Sequence, residues 1–394
     1  MYNFKSAVQP VLTEEQLAFQ KEVSDFVEAE VVPNFNKWYY EDHQVDKALY
    51  RKMGEKGLLL TWADPKYGGR GLGWIESWIV ANEFGRRGMG GVQVWLHSDV
   101  VGTYFEEFAS DAVKDKFLPD LIKGNKVLAV AMTEPEYGSN VGGAQTSAVE
   151  DGDDYIVNGH KIFISNGWNA DVIVTLVRTD PDPAAGHKGL TLIAIDTTES
   201  EGVRRKKLDK MGGHVMDTSE LWFENVRVPK ENVIGEVGRG FYHVMKGLQQ
   251  ERILAALMAE LSCEVAFNEA VARCQSREVF GRPLSTYQNT QFVMAEEAAK
   301  IMAAKAMVDN LVLAHDRGEE VNTAAAACKL FTCELVKEVA DVAVQMHGGY
   351  GLMMDYPIAR MYTDARISSI TAGTSEVMKM VVSGDVFPRP KKKK

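Results

Sequence analysis

Glu251 sits where a carboxylate is costly. Phe241, Val244, Leu248, Glu251, Ala255, Met258 and Ser262 recur at alternating spacings of three and four, so on a helix they form one narrow stripe. All but Glu251 and the terminal Ser262 are apolar. A carboxylate in such a stripe loses its hydration unless it is paired or has a task. The same apolar setting pushes its pKa toward neutrality and makes it a better proton acceptor. Two readings follow: a general base, or a buried ion pair with an Arg from another helix. Arg252 is poorly placed to be that partner, because adjacent helical residues point about 100° apart. A second polar cluster lies in Ile370-Thr-Ala-Gly-Thr-Ser-Glu-Val377. There Gly373 lets the main chain approach a ligand, and Thr374, Ser375 and Glu376 offer groups that can open a helix.

The elements that must position these residues read as three blocks. Thr13-Glu-Glu-Gln16 is a capping box for a helix that Pro33 stops. Helical or loop character continues through Arg51–Lys56, Trp74–Phe84 and Ala112–Ile122. From about Val127 to about Gly235 the residues favour strands. Tyr155–Ile164 reads as a hairpin turning at Asn158-Gly159, and Val172–Val177, Leu190–Ile195 and Glu220–Val228 read as further strands. Asp180-Pro-Asp-Pro183 marks a loop among them. After Gly240 long helices return, with breaks at Gly281-Arg-Pro283, Gly318 and His347-Gly-Gly349. The fold class expected is α+β. An all-α domain (1–127), a β-domain (128–236) and a second all-α domain (237–394) are the expected units.

Several functions are disfavoured. At 394 residues the chain exceeds one ordinary core, and its 45% hydrophobic and 25% charged residues suit a globular protein. A formal charge of −11 argues against nucleic acid or an anionic membrane as the main partner, and Lys391–Lys394 reads as a solvated tail. No apolar run approaches the ~20 residues of a membrane span, and no secretory pattern opens the chain, so a cytoplasmic location is expected. Cys263, Cys274, Cys328 and Cys333 fall in helical segments without Cys-x-x-Cys spacing and read as buried free thiols. There is no metal-spaced Cys/His cluster, nucleophile elbow or Gly-rich phosphate loop. No metal is expected, and redox chemistry would need an organic cofactor held without such loops.

Met132-Thr-Glu-Pro-Glu-Tyr-Gly-Ser-Asn140 resembles the Thr-Glu-Pro-x-x-Gly-Ser-Asp signature of the acyl-CoA dehydrogenase family. Lys161-Ile-Phe-Ile-Ser-Asn-Gly167 is similar to that family's Lys-x-Trp-Ile-Thr-Asn-Gly strand. Arg277-Glu-Val-Phe-Gly-Arg-Pro283 with Gln288, Gln345-Met-His-Gly-Gly-Tyr-Gly351 and Arg360-Met-Tyr-Thr-Asp-Ala-Arg366 follow in family order. The resemblance runs from about residue 10 to 387. It implies a helical domain, a central β-barrel-like domain and a four-helix-bundle-like domain holding FAD. It also implies that Met132, Thr133, Ser139, Phe163 and Ser165 face the flavin. Arg277 and Gln288, with Phe280 in the same block, would reach the FAD of a neighbouring subunit. Gln345, Gly348 and Gly349 would lie beside the adenine half, and Thr374 and Glu376 would complete the cofactor site. Ser139, Arg252, Ala372 and Gly373 would meet the acyl-CoA substrate. A homotetramer or homodimer is implied, with electron-transfer flavoprotein as the electron acceptor.

One departure bears on catalysis. The family's usual proton-removing Glu lies in a Tyr-Glu-Gly-Thr loop, and here that position is Ala372. The segment Leu248-Gln-Gln-Glu-Arg-Ile-Leu254 resembles the branch containing isovaleryl-CoA and long-chain acyl-CoA dehydrogenases, which carry the base on this helix. On that resemblance Glu251 is the catalytic base. The implied reaction is α,β-dehydrogenation of a fatty or branched-chain acyl-CoA to the trans-2-enoyl-CoA, as in β-oxidation. Thr371-Ala372 in place of Tyr-Glu predicts a pocket wide near the thioester. Glu136, Tyr137 and Asn140 depart from the family pattern in the first signature and predict altered access there. An acyl-CoA oxidase and a flavoprotein that only binds acyl-CoA are the rival readings.

Overall fold

The structure is a computed structural model describing residues 2–388, so Lys391–Lys394 lie outside the described residues. Thr13 caps α1 (Glu14–Phe26): its hydroxyl accepts the Gln16 N–H, and Gln16 Oε1 accepts the Thr13 N–H. The helix widens into a π turn over Val27–Val31 before Pro33. A short turn, α2 (Phe35–Lys37), then α3 (Lys47–Glu55), α4 (Trp74–Gly85), α5 (Gly102–Phe108) and α6 (Asp111–Ile122) complete the first helical block. Two further π segments follow, Trp38–Asp42 and Leu96–Val101; the latter is buried throughout and feeds directly into α5.

The middle block is one mixed sheet. Its strands are β1 (Leu128–Ala131), β2 (Ser147–Asp151), β3 (Asp154–Ser165), β4 (Val172–Arg178), β5 (Leu190–Asp196), β6 (Val203–Lys207), β7 (Thr218–Pro229) and β8 (Val233–Ile234). They are ordered β6-β7-β3-β2-β4-β5-β8, and β1 pairs parallel with β4. β4 and β5 are buried on both faces, and their alternation separates two cores. Val172, Val174, Leu176, Leu192 and Ala194 join the core shared with the helices, while Ile173, Val177, Ile193 and Ile195 join the core of the sheet itself.

The hairpin expected at Asn158-Gly159 is not there. β3 runs unbroken through it, and the reversal lies one strand earlier, at Gly152 (φ +62°), where Asp151 faces Asp154. Asn158-Gly159 instead forms a bulge against β7, with Asn158 and Asn225 hydrogen-bonded to each other. The glycine serves close approach: a Cβ at residue 159 would lie 2.4 Å from the Thr146 hydroxyl.

The last block is helical: α7 (Gly240–Ser276), a small hairpin of β9 (Glu278–Val279) and β10 (Arg282–Pro283), α8 (Gln288–Asp316), α9 (Asn322–His347), α10 (Pro357–Ala365) and α11 (Ser375–Val386). α7 packs on α8 and α9, and α9 packs on α10 and α11. At 37 residues α7 is about 55 Å long. It also touches α4, α5 and β5, so one helix spans all three blocks. The four cysteines are buried and free. Among the described residues no helix is long and apolar enough to cross a membrane.

Candidate active site

A cavity of about 780 Å³ lies where α7 passes the sheet, and every member of the α7 stripe from Phe241 to Ser262 lines it. Glu251 is half-buried and lines this cavity. Its Oε2 has no hydrogen-bond partner, and among the described residues it forms no ion pair. Burial raises its pKa above the ordinary carboxylate value, opposed by the charges of Arg252 and Lys329. The buried-ion-pair reading therefore finds no partner. Arg252 lines the same cavity, buried, with an unpaired Nε and no ion pair among the described residues.

A second wall is the loop before α11. Thr374 caps that helix, its hydroxyl accepting the Val377 N–H at 3.2 Å. Ala372 (φ +55°) and Gly373 (φ +92°) are consecutive left-handed residues, a conformation that costs a non-glycine residue about 1–2 kcal/mol. Both line the cavity. α9 holds the loop: Lys329 Nζ donates to Gly373 O at 2.8 Å and to Ser368 O at 3.3 Å, and Glu334 accepts from the Ser375 hydroxyl.

The third wall comes from the sheet, where Met132, Thr133, Ser139, Phe163 and Ser165 line the cavity. A buried pair fixes it. Lys161 Nζ lies 2.9 Å from both Glu134 Oε1 and Met132 O, and Glu134 also accepts the Gln145 and Thr146 N–H groups at 2.8 Å. Burial pulls Lys161 down to about 8 despite Glu134. Burial alone would raise Glu134, but Lys161 and the two N–H donors carry it below the usual carboxylate range. A second irregularity of β3, between Lys161 and Ile164, turns Phe163 outward at φ +61° and leaves it 64% exposed on the cavity wall. An aromatic face beside three hydroxyls fits a flat heteroaromatic ring with polar edges, as in a flavin. The unpaired Arg252 fits an anionic group.

The remaining sequence-predicted residues do not line this cavity. Arg277, Phe280, Gln288, Gln345, Gly348 and Gly349 lie on the outer face of the last block and are exposed. Phe280 is 96% exposed at φ +51° on the β9–β10 turn. Thr374 and Glu376 stand beside the cavity, and helix-end hydrogen bonding holds the exposed Glu376 below its usual value. Sequence reading missed Trp95, Leu96 of the π segment that follows it, Asp364 of α10 and the Lys329 clamp. Only Lys329 left a signal, being in phase with the buried Ala325, Cys328, Thr332 and Val336.

Comparison with known proteins covers nearly the whole chain. The acyl-CoA dehydrogenase N-terminal domain matches residues 13–125, the middle domain 129–226 and the C-terminal domain 238–386. A mitochondrial long-chain specific acyl-CoA dehydrogenase of Sus scrofa is 35% identical over 379 residues, covering 96% of this chain and 88% of that protein. A short-chain specific acyl-CoA dehydrogenase of Clostridium acetobutylicum is 37% identical over 378 residues, covering 95% and 99%. The crystal structure of an acyl-CoA dehydrogenase from Geobacillus kaustophilus matches with a TM-score of 0.94 at 38% identity, covering 96% of this chain and all of that one. With that likeness along all three blocks, the chain belongs to the acyl-CoA dehydrogenase family of flavoprotein oxidoreductases.

Proposed function

We propose that this enzyme is an FAD-dependent acyl-CoA dehydrogenase whose base is Glu251 of α7. The observation that carries the proposal is the buried, unpaired Oε2 of Glu251 sharing one cavity with Ala372 and Gly373. Glu251 takes the α proton of the bound thioester, and burial strengthens it for that task. The Ala372 main-chain N–H, present whatever its side chain, donates to the thioester oxygen as negative charge builds there. When bound, FAD supplies the acceptor for the hydride leaving Cβ, so the product is a trans-2-enoyl-CoA. Phe163, Thr133, Ser139 and Ser165 hold the ring system, and Arg252 holds an anionic part of the ligand.

Thr371-Ala372 leaves space near the thioester, which favours branched or medium-to-long acyl groups. Arg277, Gln288, Gln345, Gly348 and Gly349 complete the FAD site of a neighbouring copy within a homotetramer or homodimer. What supports this is their exposure away from their own chain's cavity, beside the exposed Phe280. Electrons pass to an electron-transfer flavoprotein. A reducing, cytoplasmic compartment suits the four free thiols.

The test is anaerobic addition of straight and branched acyl-CoAs to the yellow holoenzyme while flavin absorbance is followed. Bleaching by medium-to-long or branched substrates is expected. A flavin that stays oxidised with every acyl-CoA would leave only a binding protein. Stoichiometric peroxide in air would make the enzyme an oxidase.

A further inference from the structure

One charge near Glu251 is left over by the reaction as proposed. Lys329 is 1% exposed, and among the described residues its ammonium forms no ion pair. Its identified acceptors are two main-chain oxygens, those of Ser368 and Gly373. These two residues are five apart, so one ammonium ties together both ends of the loop that presents Ala372 to the cavity. That loop needs tying, because Ala372 and Gly373 are both left-handed and Ala372 has no glycine's freedom there. The charged and titratable groups facing Lys329 are Glu251 and Arg252 of α7 and Cys333 and Glu334 of α9. Those facing Glu251 are Arg252, Lys329 and Tyr104 of α5.

Resting on the assignment of Glu251 as base, we propose that Lys329 is a positioning residue for the dehydrogenation. It clamps the Ser368–Gly373 loop so that the Ala372 N–H keeps its aim, and it brings a positive charge to the loop that walls the cavity Glu251 shares. The second role counters burial. In an apolar cavity Glu251 tends to keep its proton, and the Lys329 charge opposes that; burial also lowers Lys329 itself, so the effect holds only while Lys329 keeps its proton.

The experiment compares wild type, Lys329→Gln and Lys329→Arg as flavin-loaded enzymes, measuring anaerobic flavin reduction by a substrate acyl-CoA across pH. Lys329→Gln should bind acyl-CoA with little change yet reduce flavin roughly 10²-fold more slowly, the scale of a small misplacement of reacting groups. Its rate should also rise with pH at a midpoint above that of wild type, because Glu251 has lost a neighbouring cation. Lys329→Arg keeps the charge without the geometry, so its rate should fall while its midpoint stays. Adding Ala372→Gly to Lys329→Gln relieves the left-handed alanine and should recover rate without restoring the midpoint. A flavin-loaded Lys329→Gln with wild-type rate and midpoint overturns the proposal. If that variant does not load flavin, a Lys329→Arg enzyme with unaltered rate overturns the clamp. Should wild type itself fail to bleach, the dehydrogenase reading fails instead.

Discussion

Lys161 Nζ lies 2.9 Å from Glu134 Oε1, and with the Lys161 Nζ–Met132 O and Ile162 N–Thr133 O bonds it joins the two segments that wall the cavity. Glu134 belongs to the Met132–Asn140 turn and Lys161 to β3, so the pair sets how Thr133 and Phe163 stand relative to each other. Lys161→Met leaves a buried carboxylate without its cation. It should cost about 3–5 kcal/mol of stability and lower the bound flavin, both readable by thermal melts and absorbance. An unchanged melt with full flavin content would separate the pair from the site.

Glu251→Gln keeps the side chain's shape and removes its ability to accept the α proton. Flavin content and acyl-CoA binding should persist, while flavin reduction falls by ~10²–10⁴-fold. Stopped-flow absorbance decides. Wild-type reduction rates would end Glu251's claim to be the base.

Adding Ala372→Glu to Glu251→Gln returns a carboxylate to the same cavity from the loop before α11. Partial activity should reappear, with preference moving toward less bulky acyl chains. Full recovery is not expected, because the pocket around position 372 is shaped for an alanine rather than for a Glu side chain. A substrate panel on the double variant is the measurement.

Asp99 is a fully buried acid in the π segment before α5, with an unpartnered Oδ1 and a pKa raised to about 7 by burial. Between its ordinary value and about 7 the folded state binds more protons than the unfolded one. Stability should therefore fall as pH rises through that window, with the cost complete above it. Asp99→Asn abolishes the titration. Relative to wild type it should be more stable at pH 8 than at pH 4, by at most about 4 kcal/mol at 1.36 kcal/mol per unit. Melts across pH that run parallel for the two proteins would refute this.

Phe280 projects almost wholly into solvent beside Arg277 and Gln288. Burying such a ring between copies is worth about 1.5–3 kcal/mol, or roughly 10–100-fold in an association constant. Phe280→Ser should yield smaller species by sedimentation and retain FAD less well. A wild-type mass and flavin content in the variant would count against the shared site.

The block order, the Thr13 cap and the breaks between the long helices were readable because each depends on local chemistry. Glu251 was readable because a short carboxylate in an apolar stripe has no escape to water. Lys329 carries a similar phase, but a lysine on a long stem often reaches solvent, so its position alone did not mark it. Asn158-Gly159 misled because turn and bulge ask for the same residues. What distinguishes them is Thr146 lying against Gly159, a contact the chain makes only when folded. The outward turn of Phe163 was hidden for the same reason, since it arises from register against β7.

If the side chain that moves the proton comes from a helix and the partner for the oxygen is main chain, the loop's own side chains carry no chemical duty. Positions 371 and 372 then become free variables. Natural drift or deliberate engineering can widen, narrow or reshape that side of the pocket while proton removal proceeds from α7. A relative that keeps its carboxylate in the loop has no such latitude, because there a change of substrate scope and a change of mechanism fall on the same residue.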